Sequence, residues 1–121
     1  MIKNTKVYPF ARVDFYDTYA HIFFNKEVQQ VLPEYSQQVI NDVVNYFGKE
    51  KFILISERGL ETKFNSEIIH TLNLSNMKAL AIVSPDEESR RKELIKEQSF
   101  IKGSFAFFDT YEAAREWALT F

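Results

Sequence analysis

The stretch GSFAFFDTYEAAREWALTF, Gly103 to Phe121, decides the fold. An apolar run (Phe105, Ala106, Phe107, Phe108) meets Asp109 and Thr110, after which Ala114, Trp117, Ala118 and Phe121 recur at helical spacing. A short apolar run bounded by polar residues reads as a strand covered on both faces. The recurrence that follows reads as a helix packed along one stripe. Asp109, with Glu112 three residues on, has the chemistry of a helix N-cap and its partner. The segment is the closing βα unit of a layered α/β domain.

Upstream, the same reading repeats. Lys51-Phe52-Ile53-Leu54-Ile55-Ser56 and Met77 to Val83 are apolar runs that read as buried strands. Pro33 and Glu34 open a helix whose stripe is Val39, Ile40, Val43, Val44 and Phe47, with Gly48 as its C-terminal cap. Phe64, Ile68, Ile69 and Leu72 predict a shorter second helix, capped by Asn65 or Ser66. Ser84-Pro85-Asp86-Glu87 is a capping box for a third, whose apolar content is chiefly Leu94 and Ile95, so its charges are expected to be solvated. Val7 to Asp17 and Tyr19 to Asn25, with a turn at Asp17-Thr18, form an opening hairpin.

The order is therefore β-β-α-β-α-β-α-β-α. Strands alternating with helices mean βαβ units, and the hairpin adds antiparallel pairing. The predicted fold is α/β, with a mixed, mostly parallel sheet of about five strands covered by about four helices. One domain over residues 1–121 is expected for this length.

Composition narrows the function classes. Apolar residues make up 45% and aromatics 16%, which indicates a packed globule and argues against disorder. A net charge of −2 provides no bulk field for nucleic acid or an anionic membrane. The absence of Cys excludes disulfides, thiolate catalysis and cysteine-based zinc sites, and favours a reducing cytoplasm. The N-terminal residues lack the apolar core of a signal peptide, and no run approaches the roughly 20 apolar residues of a membrane span.

The opening hairpin, FILIS followed by a polar turn, ALAIVS, and FAFFDTYEAAREWA together resemble the SpoIIAA-like domains, relatives of the STAS (anti-sigma-factor antagonist) fold. The ending is also similar to that of small bacterial STAS/SEC14-like proteins. The resemblance implies a SpoIIAA-like fold and a regulatory, protein-interaction role. In some members a Ser at the start of the helix after a central strand is phosphorylated. That position falls within Ser56 to Ser66, where the family's Asp-Ser-Ser-Gly-Leu pattern becomes Ser56-Glu57-Arg58-Gly59-Leu60. Glu57 stands where a small residue is expected, so the phosphoswitch is not carried over.

Catalytic constellations are sparse. Gly48, Gly59 and Gly103 stand alone, so phosphate-binding glycine loops and the Gly-x-Ser-x-Gly elbow are missing. His21 shares a face with Tyr19 and Phe23 and reads as a surface or half-buried strand residue rather than a base. His70 suits a helix C-terminus. Two His without Cys give no paired metal-ligand spacing. Asp14, Asp17 and Asp109 do not form a receiver-type cluster, because the ends of FILI and ALAIV carry Ser56 and Ser84. Arg90, Arg91, Lys92 and Lys96 interleave with Glu residues, as on a solvated surface.

The remaining constellation is Ser56, Glu57, Arg58 and Gly59, with Ser84 at the next strand's end. Ligands of open α/β sheets bind beyond the carboxyl ends of the strands. The expectation is a non-enzymatic interaction module without cofactor, metal or catalytic residues. It would bind a protein partner or a second copy of itself, as a homodimer, through this turn or through the hairpin aromatics. The alternative is a binder of a small anionic or lipid-like ligand at the same rim, near Arg58 and Ser84. A purely structural dimer subunit is a third reading.

Overall fold

The computed structural model describes residues 1–25, 27–58, 63–64, 66–84 and 91–121. Within these, β1 (Asn4–Val7), β2 (Ala11–Phe15) and β3 (Tyr19–Phe24) form an antiparallel meander. A two-residue strand β4 (Gln30–Val31) precedes helix α1 (Pro33–Phe47). Strand β5 (Phe52–Glu57) follows, then β6 (Lys63–Phe64), which pairs with β4, and a 3-10 helix, Ser66–Thr71. The chain continues through β7 (Met77–Val83), α2 (Arg91–Gln98), β8 (Ser104–Phe108) and α3 (Tyr111–Ala118). The main sheet has six strands in the order β1-β2-β3-β5-β7-β8, and β3, β5, β7 and β8 run parallel.

The expected α/β fold with a mixed sheet is present, with differences in detail. Three helices and one 3-10 helix are described, and the sheet gains β1. That strand precedes the segment Val7 to Asp17 read as a single long strand and shares only Val7 with it. The chain reverses at Tyr8-Pro9-Phe10, where Tyr8 N–H donates to Ala11 O at 2.7 Å. Every residue of β1 is exposed, so no apolar alternation marks it. The predicted second helix is reduced to the 3-10 helix. FAFF is an edge strand with half-buried residues, not a central strand covered on both faces. The capping box at Ser84-Pro85-Asp86-Glu87 has residues 85–87 outside the described residues, as is Arg90.

The layers follow from chain order. The crossovers from β3 to β5, β5 to β7 and β7 to β8 all step the same way across the sheet, so right-handed connections put them on one face. There Val39, Ile40, Val43 and Phe47 of α1 pack with Phe52, Leu54, Leu80, Ile82 and Leu94. Helix α3 follows the edge strand and takes the other face, where Ala114 and Ala118 lie against Ile53, Ile55, Ala79, Ala81 and Val83. Small residues on both sides of that contact let the helix approach the sheet closely. Thr110, not Asp109, caps α3: its hydroxyl accepts from the Ala113 N–H at 3.2 Å, while Asp109 is exposed. Gly48 ends α1 at φ 64°, as its cap position predicts.

The aromatic excess of the hairpin is largely absorbed by packing. Tyr8, Phe10, Phe15 and Tyr19 are buried, and Tyr16, Phe23 and Phe24 are half-buried. Phe10 stacks on Tyr35 of α1 at 4.1 Å between ring centroids. Among the described residues, no helix is long and apolar enough to cross a membrane, and no cluster of three or more His, Asp or Glu is placed to hold a metal ion.

Gly103 precedes β8 where the backbone of β7 passes close by. A Cβ built there would lie 2.6 Å from Lys78 O. Gly103→Ala is therefore expected to lower unfolding free energy by about 1–3 kcal/mol, because the obstacle is backbone and cannot rotate away. Urea denaturation followed by circular dichroism measures it, and an unchanged midpoint would contradict the close approach.

Candidate functional site

The parallel ladder runs past the ends of its strands. Arg58 N–H donates to Val83 O at 2.9 Å, and Ser84 N–H donates to Phe108 O at 3.1 Å. These two rungs bring Ser56, Glu57, Arg58 and Ser84 to one rim, as the sequence predicts. Gly59 lies outside the described residues. Alternation along β5 then divides the group. Ser56 pairs with Ile82 and faces the α1 side, whereas Glu57 pairs with Val83 and faces α3. The rim is therefore two half-sites separated by the thickness of the sheet.

On the α1 side, Arg58 is buried and bound to Glu97 of α2. Its two terminal nitrogens donate to the two carboxylate oxygens at 2.8 and 2.9 Å, and only about 5% and 4% of the two side chains is exposed. This forked geometry is the strong form of an Arg–carboxylate pair. Beside it is a cavity of about 50 Å³, lined mainly by apolar side chains including Ile22, Leu54, Ile69 and Leu80, with Ser36 and Ser56 as polar members. Ser56 and Ser84 are both buried.

Glu97 is the residue that sequence reasoning missed, and it corrects the picture of α2 as a solvated helix. Leu94 is buried, Glu97 is buried and Ile101 is half-buried, whereas Ile95 is 52% exposed. The signal was the 94–97–101 spacing, which puts a carboxylate in the helix's inward stripe. Lys92 and Lys96 are exposed, as expected of the basic stripe.

On the α3 side, His21 occupies the centre of an aromatic cluster. It is 2% exposed, which overturns the surface reading. Tyr111 covers it, with ring centroids 4.1 Å apart and planes 7° from parallel. The Phe23 ring lies against it as well, tilted by 44° with centroids 3.8 Å apart. Tyr111 shares a 2.8 Å hydroxyl–hydroxyl hydrogen bond with Tyr19, whose ring stacks on Tyr16. The neighbour in β2, Asp14, accepts from Thr5 Oγ1 at 2.8 Å and Arg12 Nε at 3.0 Å.

Burial pushes the His21 imidazole down to about 4, with Asp14 opposing and Arg12 reinforcing the shift. Burial, then the charge of Glu112, raises the Glu57 carboxyl. His21 Nε2 lies 3.5 Å from Glu57 Oε1 without a hydrogen bond. The contact is therefore a neutral imidazole beside a carboxyl, not an ion pair, at neutral pH. Burial also raises the Tyr111 phenol, helped by its bonds to Tyr16 and Tyr19. Because His21 faces α3 and Ser56 faces α1, the imidazole and that hydroxyl do not meet. His70 is exposed, with its ring against Phe100.

No protein-family model and no curated protein matches the sequence. Among solved structures, the chain is similar to an uncharacterised DUF3478-family protein with a SpoIIAA-like fold from Shewanella loihica PV-4. The TM-score is 0.66 at 16% identity, over 89% of this chain and 91% of that one. The fold is SpoIIAA-like, in agreement with the resemblance read from the sequence.

Two outcomes follow from this geometry. Arg58→Met or Glu97→Leu alone breaks the buried fork and is expected to cost about 3–5 kcal/mol, whereas the two combined recover most of the loss. A denaturant double-mutant cycle reads the difference, and additive single losses would rule out the coupling. For His21, the unfolded imidazole binds a proton near 6.5 while the folded one resists until about 4. Stability is then complete above about pH 6.5, falls by roughly 3 kcal/mol as the pH drops towards 4, and levels off below. The raised carboxyl of Glu57 works in the opposite direction, because the native state takes up that proton first. His21→Phe should flatten the decline in urea-derived stability between pH 6.5 and 4, and an unaltered slope would exclude His21 as its source.

Proposed function

We propose that this SpoIIAA-like chain is a non-enzymatic, STAS-type interaction module. Its partner surface is the rim where β5, β7 and β8 end, with half-buried Glu57 as the accessible member and the buried Ser56, Arg58 and Ser84 ordering the edge beneath it. One observation carries this reading: the rungs from Arg58 to Val83 and from Ser84 to Phe108 hold three strand exits in register, while the Arg58–Glu97 fork ties α2 to the same edge. A surface ordered before contact loses little conformational entropy when a partner docks. A cytoplasmic setting fits the cysteine-free composition.

The second reading, a binder of a small anionic or lipid-like ligand, is favoured by the apolar cavity beside Arg58. At about 50 Å³ that cavity holds a few waters, well below the roughly 300–1,000 Å³ of ordinary ligand pockets. The guanidinium is also already occupied by Glu97. The interaction module is the better supported of the two.

A photo-crosslinking residue placed at exposed Asp109, on the rim, should capture a defined protein species in cells. The same residue at exposed Lys51, at the opposite end of the sheet, should not. Equal capture at both positions, or none at either, would count against the rim. Thermal shifts with small anions or fatty acids that disappear in Arg58→Lys would instead support the ligand reading.

A further inference from the structure

The α3 half of the rim holds two carboxylates. Glu57 ends β5, and Glu112 lies in the first turn of α3, next to the Tyr111 that stacks on His21. Glu57 Oε1 lies 3.5 Å from His21 Nε2, and the His21 ring is stacked on Tyr111, the residue before Glu112, so both carboxylates belong to one corner; burial, then the charge of Glu112, raises the Glu57 carboxyl. Among the described residues, no Lys or Arg is ion-paired with either. Their side is walled by aromatic rings. Phe23 sits opposite Glu57 in the β3–β5 register, and both Phe23 and Tyr111 are half-buried. A third polar group belongs to the same corner: His21 Nε2 is buried, makes no hydrogen bond among the described residues, and lies 3.5 Å from Glu57 Oε1.

Two carboxylates that repel each other and two ring faces make an acceptor-rich corner, beside an imidazole nitrogen that has no hydrogen bond among the described residues. The complementary group carries positive charge, several N–H donors and a surface that tolerates aromatic contact. An alkylammonium or a guanidinium has those properties. The corner is open rather than enclosed, since Glu112 is exposed and about a third of the Glu57 side chain is accessible. A free amine would be held there at one end only, whereas a side chain anchored to a docked protein is delivered with its backbone already placed.

We propose that Glu57, Glu112, Tyr111, Phe23 and His21 form a receptor for a Lys or Arg side chain of a protein partner. This rests on the rim being the partner surface and names the chemistry of the segment it takes. Binding satisfies both carboxylates and relieves their repulsion. The segment docking there is basic, which complements the chain's overall charge of −2.

The test is an NMR titration of the ¹⁵N-labelled full chain with a capped peptide of alternating Arg and Gly, beside guanidinium chloride at matched ionic strength. Saturable shifts centred on Glu57, Tyr111, Glu112 and the His21 imidazole are expected. Glu57→Gln and Glu112→Gln should each weaken the peptide about five- to tenfold, as loss of one charge-assisted partner does. Neither variant should lower the melting temperature, since each removes a repulsion. Shifts spread evenly over the surface, unchanged in both variants, or absent at millimolar peptide would overturn the proposal. So would guanidinium matching the peptide at equal concentration, which would mark a receptor for free cations instead. Capture by the Asp109 probe without these shifts removes the cation corner and leaves the rim; failure of both removes both.

Discussion

Parallel pairing of β5 with β7 is the interaction on which the other layers depend. Such a pair has no tight turn to hold it and is stabilised by burial on both faces. Phe52 and Leu54 of β5 join Leu80 and Ile82 of β7 under α1, while Ile53 and Ile55 join Ala79, Ala81 and Val83 under α3. Complete burial of each large aliphatic or aromatic side chain contributes about 1.5–3 kcal/mol, so this pair supplies much of the driving force. Its register is also narrowly specified. A slip of one residue would turn Leu80 and Ile82 towards α3, into places now filled by Ala79 and Ala81 against Ala114 and Ala118.

From that pairing the rim follows. The same backbone ladder that aligns β5 with β7 continues into Arg58 and Ser84, so polar residues with no apolar reason to converge are carried together. Arg58 and Glu97 then meet in a largely apolar setting. Leu94 and Ile101 provide limited apolar burial for the α2 region, and the fork to Arg58 gives its contact with the sheet a direction. An ion pair of this kind adds little net stability over well-packed apolar residues, but it penalises every arrangement that separates the partners. The opposite half-site is built differently, by a covering Tyr111 that holds His21 neutral and leaves Glu57 and Glu112 to share a crowded corner.

Several elements were legible because their physics is local. The stripe from Val39 to Phe47, the Pro33 start and the Gly48 stop predicted α1, and the apolar runs predicted β5 and β7. Other features lacked a local signal. Strand β1 is wholly exposed and held by backbone pairing to β2, so its side chains carry no pattern. The cap of α3 moved one residue, from Asp109 to Thr110, a difference that depends on backbone geometry rather than on residue type. FAFF has the composition of a central strand but lies at the edge, because its place in the sheet order is set by the crossovers and not by its own residues.

The amino-acid order by itself determined the α/β class, the mixed sheet with its parallel run, the position of α1 and the gathering of Ser56, Glu57, Arg58 and Ser84 at strand ends, since periodicity and strand direction dictate all four. Tertiary structure alone decided that Arg58 is tied to Glu97, that His21 is buried beneath Tyr111, and that Glu57 faces away from Ser56. These are contacts between residues 39 and 90 positions apart, or alternations of a strand between two covering layers. Their energies depend on burial and on partners that no short window of sequence contains.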